Sequence, residues 1–436
     1  MYKVFVSFLF TLCASITLQA QQAKHVVLVT IDGFRPNFYM DSSWQAVNLM
    51  KLKSEGTHAL GVNSVFPSMT YPSHTTIVTG VKPAKHGVYF NSMFEPTGST
   101  GKIYWNDTSI KAKTLWTAAK EKGLVTAAMF WPVAADAPVT YNIADIGSLG
   151  EKAREDYSLP NGFLRQVKKE LFNDSARVEY GKDQNVAAIA AYVIKRSKPA
   201  LMTIHLFGVD HYSHEAGRDG AAPRAAVRAA DSAIGIIRKS LEDAGIWNNT
   251  VFIVTGDHGF TDVETSVNPN VWLAEAGFIT DVKKDEWKAQ FYSVSGSSYL
   301  YLRDKKDKAT TDAVLQLLNK LPADQKKYFR VITRKQLDAE GANPEAAFAL
   351  SAENGAALGN AIKGEAIKSR KKGGVHGNFP DFKEIQTGMI TTGPNINKGG
   401  VVREMGLVDY APMIAKILGL NMPGGDGKIP AGIFAR

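Results

Sequence analysis

The chain has 436 residues, of which 44% are hydrophobic and 21% charged. That balance excludes a largely disordered chain and supplies a substantial core, at a length that α/β enzymes reach as one domain. The net charge of +9 favours anionic partners in general. Its residues are scattered apart from the run KSRKK at 368–372, and no nucleic-acid-binding module is apparent, so it reads as a solvated basic surface. In chain order, Lys3 precedes an uncharged apolar stretch at 4–18, and the small Ala20 stands before Gln21. This pattern predicts a secretory signal peptide over 1–20. The stretch is short for a spanning helix, which needs about 20 residues, so no stable membrane span is expected once it is removed. Leu12 before Cys13 is too bulky for a lipidation signal. Cys13 is the one cysteine, so the mature chain, 21–436, has no disulfide framework. A periplasmic or secreted protein is expected.

The mature chain opens with a buried-strand pattern over 25–31 that ends in Asp32-Gly33. The run at 201–207 repeats the form and leads to Asp210. The run at 251–255 repeats it again and leads to Asp257-His258-Gly259. Short continuous apolar runs fit strands covered on both faces. Helical stretches are predicted at 114–122, 187–195 and 222–244, between these strands. Such alternation implies a mostly parallel sheet with helices on both sides. Ligands collect beyond the carboxyl ends of such strands, and the three Asp residues all fall there. The region 281–372 is richer in charge and less periodic, with strands predicted at 297–302 and 329–333 and a helix at 309–321. It reads as part core and part insertion, a cap over the site within one catalytic domain at 21–436. A strand at 389–392 and a helix at 408–418 return to the sheet pattern.

Asp32, Asp210, His214, Asp257, His258 and His376 supply three carboxylates and three imidazoles. Oxygen and nitrogen donors without thiolates suit zinc, and also manganese or iron. Asp210 and His214 stand four apart, which aims both at one ion from a helical turn or a looped strand end. Gly256 and Gly259 are expected to let the backbone bend tightly around Asp257-His258. Taken singly, each motif is weak; the ordered set is not. Thr70 lies in a segment, 66–76, that leads into a predicted helix ending near Gly80, with Pro72 in the first turn. Two readings of Thr70 stand side by side. It is a helix cap, or it is a nucleophile at a helix N-terminus, where free N–H groups favour an anion and a metal ion activates the hydroxyl.

The ordered set resembles the nucleotide pyrophosphatase/phosphodiesterase family of the alkaline phosphatase superfamily. The matching residues are Asp32-Gly33, Thr70-Tyr71-Pro72-Ser73-His74, Ile77-Val78-Thr79-Gly80, Pro83 with His86-Gly87, Asn91, Phe130-Trp131-Pro132, Asp210 with His214, Asp257-His258-Gly259 and His376-Gly377. The resemblance implies an alkaline phosphatase-like three-layer sandwich with a smaller inserted cap region. It implies two Zn2+ ions, one held by Asp210, His214 and His376, the other by Asp32, Asp257 and His258 with Thr70. Asn91 and the N–H near Tyr71 would stabilise the phosphoryl oxygens, and a phosphothreonine would form on Thr70. The implied partner is a small phosphorylated substrate, a nucleotide or other phosphodiester. Tyr71 stands where the family has phenylalanine and would still stack on a base. Ser73 replaces an asparagine, and His211-Tyr212-Ser213 replaces small residues. Rival readings on the same scaffold are a phosphonate hydrolase and a phosphate monoesterase. The latter needs a Lys-x-Arg pair, for which Lys152-Ala153-Arg154 is the candidate. No sulfatase motif is present. From another class comes a non-catalytic metal- or glycan-binding protein, which the complete set of ligands and nucleophile disfavours.

Overall fold

Alternation within the three apolar runs decides how the sheet is covered. In the computed structural model, which describes residues 23–175 and 178–435, Val27, Val29, Ile31, Met202, Ile204, Leu206, Phe252 and Val254 belong to one hydrophobic cluster, on the side of helices Asp183–Ser197 and Ala221–Asp243. Val26, Leu28, Leu201, Val251 and Ile253 belong to a second, with helices Thr70–Thr79, Leu115–Glu121 and Tyr410–Leu418. Successive side chains of a strand point to opposite faces, so one apolar run supplies two cores and three layers result. Each fully buried aliphatic side chain contributes about 1.5–3 kcal/mol.

The sheet has eight strands in the order Val401–Val402, Thr57–Ala59, Met389–Thr392, Thr250–Thr255, His25–Ile31, Leu201–Leu206, Thr126–Met129, Tyr141–Ile143. The five strands from Thr250–Thr255 to Tyr141–Ile143 run parallel, and Met389–Thr392 enters antiparallel to both neighbours. The register sets Ile31 opposite Leu206 and Thr30 opposite Thr255. The residues that follow these strands therefore emerge side by side. The predicted helices at 187–195 and 408–418 become Asp183–Ser197 and Tyr410–Leu418, the latter entered through a 3-10 turn at Leu407–Asp409.

Between 281 and 372 the chain builds a four-stranded antiparallel sheet, in the order Ala289–Ser293, Ser297–Leu302, Ala349–Ala352, Phe329–Ile332. Helix Lys308–Lys320 contributes Val314 and Leu318 to a core shared with Phe291, Leu300 and Leu350. A further cluster joins this sheet, through Tyr299 and Ile332, to Phe66 and Phe90 on either side of Thr70. The segment Ile367–Val375 pairs with Thr261–Val267 in a separate three-stranded sheet and so brings His376 against His258. No described helix is long and apolar enough to cross a membrane. The signal peptide predicted at 1–20 lies outside the described residues.

The helix Val47–Glu55 is fixed at its start by a long-range cap. Asp231, buried in Ala221–Asp243, accepts the N–H groups of Asn48 at 3.1 Å and Leu49 at 2.8 Å. Asp231→Ala leaves both donors unpaired and is expected to cost about 2–3 kcal/mol of stability. Thermal unfolding checks this, and a midpoint within about 1 °C of wild type would contradict the cap.

Candidate active site

Asp32 follows strand His25–Ile31 directly, and Asp257-His258 follows Thr250–Thr255 after a single glycine. Asp210 and His214 lie in helix Gly208–Ala216, one turn apart, so both project from one face. The helical-turn alternative for this pair is the one observed. His376 arrives from the far strand Ile367–Val375. The backbone bends at Asp257, between Gly256 and Gly259, without a positive φ at either glycine. Both glycines are also needed for close approach. A Cβ on Gly256 would lie 2.5 Å from Phe34, and one on Gly259 would lie 2.0 Å from the Glu384 carbonyl oxygen.

The structure gathers all six predicted ligands. His214 Nε2 is 3.3 Å and His376 Nε2 3.6 Å from Asp210 Oδ1. His258 Nε2 is 3.2 Å from Asp32 Oδ1 and 3.3 Å from Asp257 Oδ2. Donor atoms of Asp210, His214 and His376 fall within 4.8 Å of one another, as do those of Asp32, Asp210 and His258. Asp210 thus stands between the two groups.

Each donor is aimed by a contact behind it. The Nδ1–H groups of His214, His376 and His258 donate to the carbonyls of Gly374 (2.9 Å), Ser68 (2.9 Å) and Gly259 (3.1 Å). That fixes the tautomer and turns each Nε2 inward. Asp257 Oδ1 accepts the N–H groups of Gly33 and His258, both at 3.1 Å, which frees Oδ2 for the site. Four of the inward atoms are buried with no hydrogen bond: Asp32 Oδ1, Asp210 Oδ1, Asp257 Oδ2 and His258 Nε2. Their separations are ion-pair distances, but the angles are not those of hydrogen bonds.

The electrostatics show the same strain. Burial and the charge of Asp210 raise the Asp32 carboxyl. Burial and the charge of Asp32 push Asp257 up to about 6. Burial works against charge on His258 and Asp210 too, but their opposite neighbours outweigh it. Asp257, Asp32 and Asp210 lift His258 to about 9, and the surrounding imidazoles hold Asp210 low. Burial and the charge of His258 keep His376 well below the usual range. Orphaned donors, inward lone pairs and crowded carboxylates together fit divalent cations.

Thr70 is the first residue of helix Thr70–Thr79, not the residue before it. Met69 is the extended cap position, and no side chain caps this end. The capping reading of Thr70 therefore has no support. The Tyr71 N–H donates to Asn91 Oδ1 at 2.9 Å. The sequence reading makes this N–H a donor to a phosphoryl oxygen, whereas here it is engaged by Asn91. Asn91 instead keeps its Nδ2 amino group without a partner among the described residues. Lys152 is 85% exposed and paired with Asp156 at 2.7 Å. Arg154 pairs with Glu151 at 2.6 Å, over the ring of Tyr180.

Sequence reasoning gave no role to three residues here, His74, His205 and Asp145, or to the Thr30 hydroxyl that links the first two. The Thr30 hydroxyl donates to His74 Nε2 at 2.8 Å and lies 3.0 Å from His205 Nδ1. His74 Nδ1–H donates to the Thr70 carbonyl at 2.8 Å, and His205 Nε2 faces Asp32 Oδ2 at 3.4 Å. Burial holds both rings low, at about 3 for His74 and about 4 for His205, so they are neutral struts. A histidine inside the buried run 201–206 was the available signal. The third is Asp145, whose Oδ2 accepts the Tyr71 hydroxyl at 3.3 Å.

A family model described as type I phosphodiesterase / nucleotide pyrophosphatase matches residues 26–378. Ectonucleotide pyrophosphatase/phosphodiesterase family member 3 of Rattus norvegicus is 26% identical over 246 residues, covering 54% of this chain and 24% of the relative. A venom phosphodiesterase of Crotalus durissus collilineatus is 23% identical over 428 residues, covering 92% of this chain and 45% of the relative. Family member 7 of Rattus norvegicus is 28% identical, covering 56% and 52%. The chain thus spans between a quarter and about half of the length of these curated relatives. Among solved structures, murine ectonucleotide pyrophosphatase/phosphodiesterase 5 superimposes with a TM-score of 0.67 at 20% identity, over 93% of this chain and 97% of that one. An inactive form of the same murine protein in complex with AMP gives 0.68. The fold is alkaline phosphatase-like, mixed α/β with a mainly parallel central sheet.

Metal ligands must be deprotonated, and without metal His258 keeps its proton up to about pH 9. Displacing that proton weakens binding at neutral pH, so Zn2+ affinity is expected to rise by about tenfold per pH unit between pH 7 and 9. Chelator competition on the metal-stripped protein measures it, and an affinity that stays flat across that window would contradict the protonation of His258.

Proposed function

The chain belongs to the type I phosphodiesterase / nucleotide pyrophosphatase family, and from that membership we propose that it is an exported, two-zinc phosphodiesterase acting through a phosphothreonine on Thr70. The observation that carries this reading is the convergence of four buried, unpartnered donor atoms beside a helix that begins at Thr70. Asp210, His214 and His376 would hold one Zn2+ and Asp32, Asp257 and His258 the other. When bound, the two ions supply positive charge that favours the alkoxide form of a hydroxyl and offsets charge on the attacking and leaving oxygens.

The chain's own groups do the rest. Thr70 Oγ attacks phosphorus in line with the leaving group and gives up its proton to solvent. The Oγ–P bond forms as the P–O bond to the leaving group breaks, and the leaving oxygen departs with the bonding pair. Water then attacks the phosphorus of this threonyl intermediate, which still carries the retained ester group, on the side opposite Oγ. The Oγ–P bond breaks, Oγ takes up a proton, the water gives one up to solvent, and a phosphomonoester leaves. The Asn91 amino group is free to donate to a non-bridging oxygen. The N-terminus of Thr70–Thr79 adds a favourable field for the anion. The ring of Tyr71 offers a stacking face to an aromatic leaving or retained group.

A diester is favoured over a monoester because Lys152 and Arg154 are engaged by Asp156 and Glu151. The names of the relatives, nucleotide pyrophosphatases and phosphodiesterases, support nucleotides and other phosphodiesters as the substrate class. A periplasmic or secreted location rests on the leader-like segment 1–20.

Thr70→Ala is expected to lower kcat/KM for bis-p-nitrophenyl phosphate by about a thousandfold or more while two zinc ions per chain are retained. Turnover with metal analysis checks this, and full activity in that variant would remove Thr70 from the mechanism. In the same assay the wild type is expected to prefer the diester to p-nitrophenyl phosphate, and Lys152→Ala to leave that preference in place. A monoester preference that collapses in Lys152→Ala would make the protein a phosphatase.

A further inference from the structure

We propose that Asp145 is a specificity-determining residue: its carboxylate, anchored by the hydroxyl of Tyr71, sets the charge beside the nucleophile and turns away substrates that carry two negative charges on one phosphoryl group. The inference rests on the phosphodiesterase reading above and names its preferred substrate class, monoanionic diesters.

Asp145 stands two residues beyond strand Tyr141–Ile143, at the carboxyl end of the sheet where the other site residues emerge. Its backbone N–H is held by the Trp131 carbonyl at 3.3 Å. Its Oδ2 accepts the Tyr71 hydroxyl at 3.3 Å, and Tyr71 directly follows Thr70. Both side chains are half-buried, so they border open space instead of core. Oδ1 has no hydrogen-bond partner among the described residues. Phenylalanine in place of Tyr71 could not make this anchor. Burial pushes the Asp145 carboxyl up to about 6, against the pull of Arg154 and of the Tyr71 hydroxyl, so the group is charged in mildly alkaline solution. The charges of Asp145 and Asp32 also reach one another, which sets Asp145 within the field of the site.

A phosphodiester carries one negative charge and a monoester nearly two above pH 7. A fixed carboxylate repels each charge alike, so its penalty on the dianion is about twice that on the monoanion, on a logarithmic scale. Arg154, drawn off by Glu151, offsets only part of this.

The test is kcat/KM at pH 8.5 for bis-p-nitrophenyl phosphate and p-nitrophenyl phosphate, using zinc-loaded wild type, Asp145→Asn and Tyr71→Phe. Asp145→Asn is expected to raise the diester value by about threefold and the monoester value by about tenfold, with both gains shrinking as salt is added. Tyr71→Phe, which keeps the charge but releases it, should shift the ratio toward the monoester by less. A packing role alone would lower both values together. A fall in both values, or an unchanged ratio in Asp145→Asn, overturns the proposal. If that variant does not fold, an unchanged ratio in Tyr71→Phe overturns it instead. A wild type without diesterase activity would sink the reading of function. A diester-selective wild type with an unmoved ratio would sink only the role of Asp145.

Discussion

Buried Asp32, Asp257, His258 and His376, with half-buried Asp210 and His214, crowd three carboxylates and three imidazoles together beyond the carboxyl ends of the parallel strands. Asp32 and Asp257 repel one another and are raised together, while His258 is drawn toward the charged state by the same carboxylates. Their inward atoms have no hydrogen-bond partners. Buried polar groups left in this way each cost on the order of 1–3 kcal/mol. Four such atoms, Asp32 Oδ1, Asp210 Oδ1, Asp257 Oδ2 and His258 Nε2, crowd into one space, a concentration of donors that suits a divalent cation. The rest of the structure is arranged so that this crowding can exist.

The arrangement starts with register. Parallel pairing of His25–Ile31 with both Leu201–Leu206 and Thr250–Thr255 brings three strand ends level. Backbone carbonyls of Gly374, Ser68 and Gly259 then set the imidazole tautomers. Behind Asp32 and Thr70, neutral His74 and His205 share the Thr30 hydroxyl, which ties the helix that begins at Thr70 to the central strand. Thr70 is therefore positioned through its carbonyl, leaving its side chain uncommitted to capping.

Much of this was legible in the sequence. Continuous apolar runs that end in Asp32, Asp210 and Asp257 announce doubly covered strands and a shared site, since nothing else explains three acids in the same structural position. The spacing of Asp210 and His214 fits a helical turn or a looped strand end, and helix Gly208–Ala216 supplies the first. Other features depend on contacts distant in sequence. Met389–Thr392 reads as a strand, but only the tertiary structure reverses its direction between parallel neighbours. His376 reaches the site through pairing of Ile367–Val375 with Thr261–Val267. Gly256 and Gly259 look like turn glycines, yet what they also accommodate is close approach from elsewhere, by the Thr387 and Phe34 side chains at Gly256 and by the Glu384 backbone at Gly259. His205 is hidden because a strand buried on both faces has no polar side to betray it. Asp145 is hidden because its meaning lies in the Tyr71 hydroxyl, 74 positions away.

The central claim is that the phosphoryl group passes through the protein, and the stereochemical course at phosphorus tests it most directly. A phosphodiester made chiral with sulfur and heavy oxygen would be hydrolysed in isotopically labelled water, and the configuration of the product determined. Two in-line displacements, the first by Thr70 and the second by water, predict net retention. Net inversion would mean a single direct attack by water, and the account of Thr70 as nucleophile would be wrong.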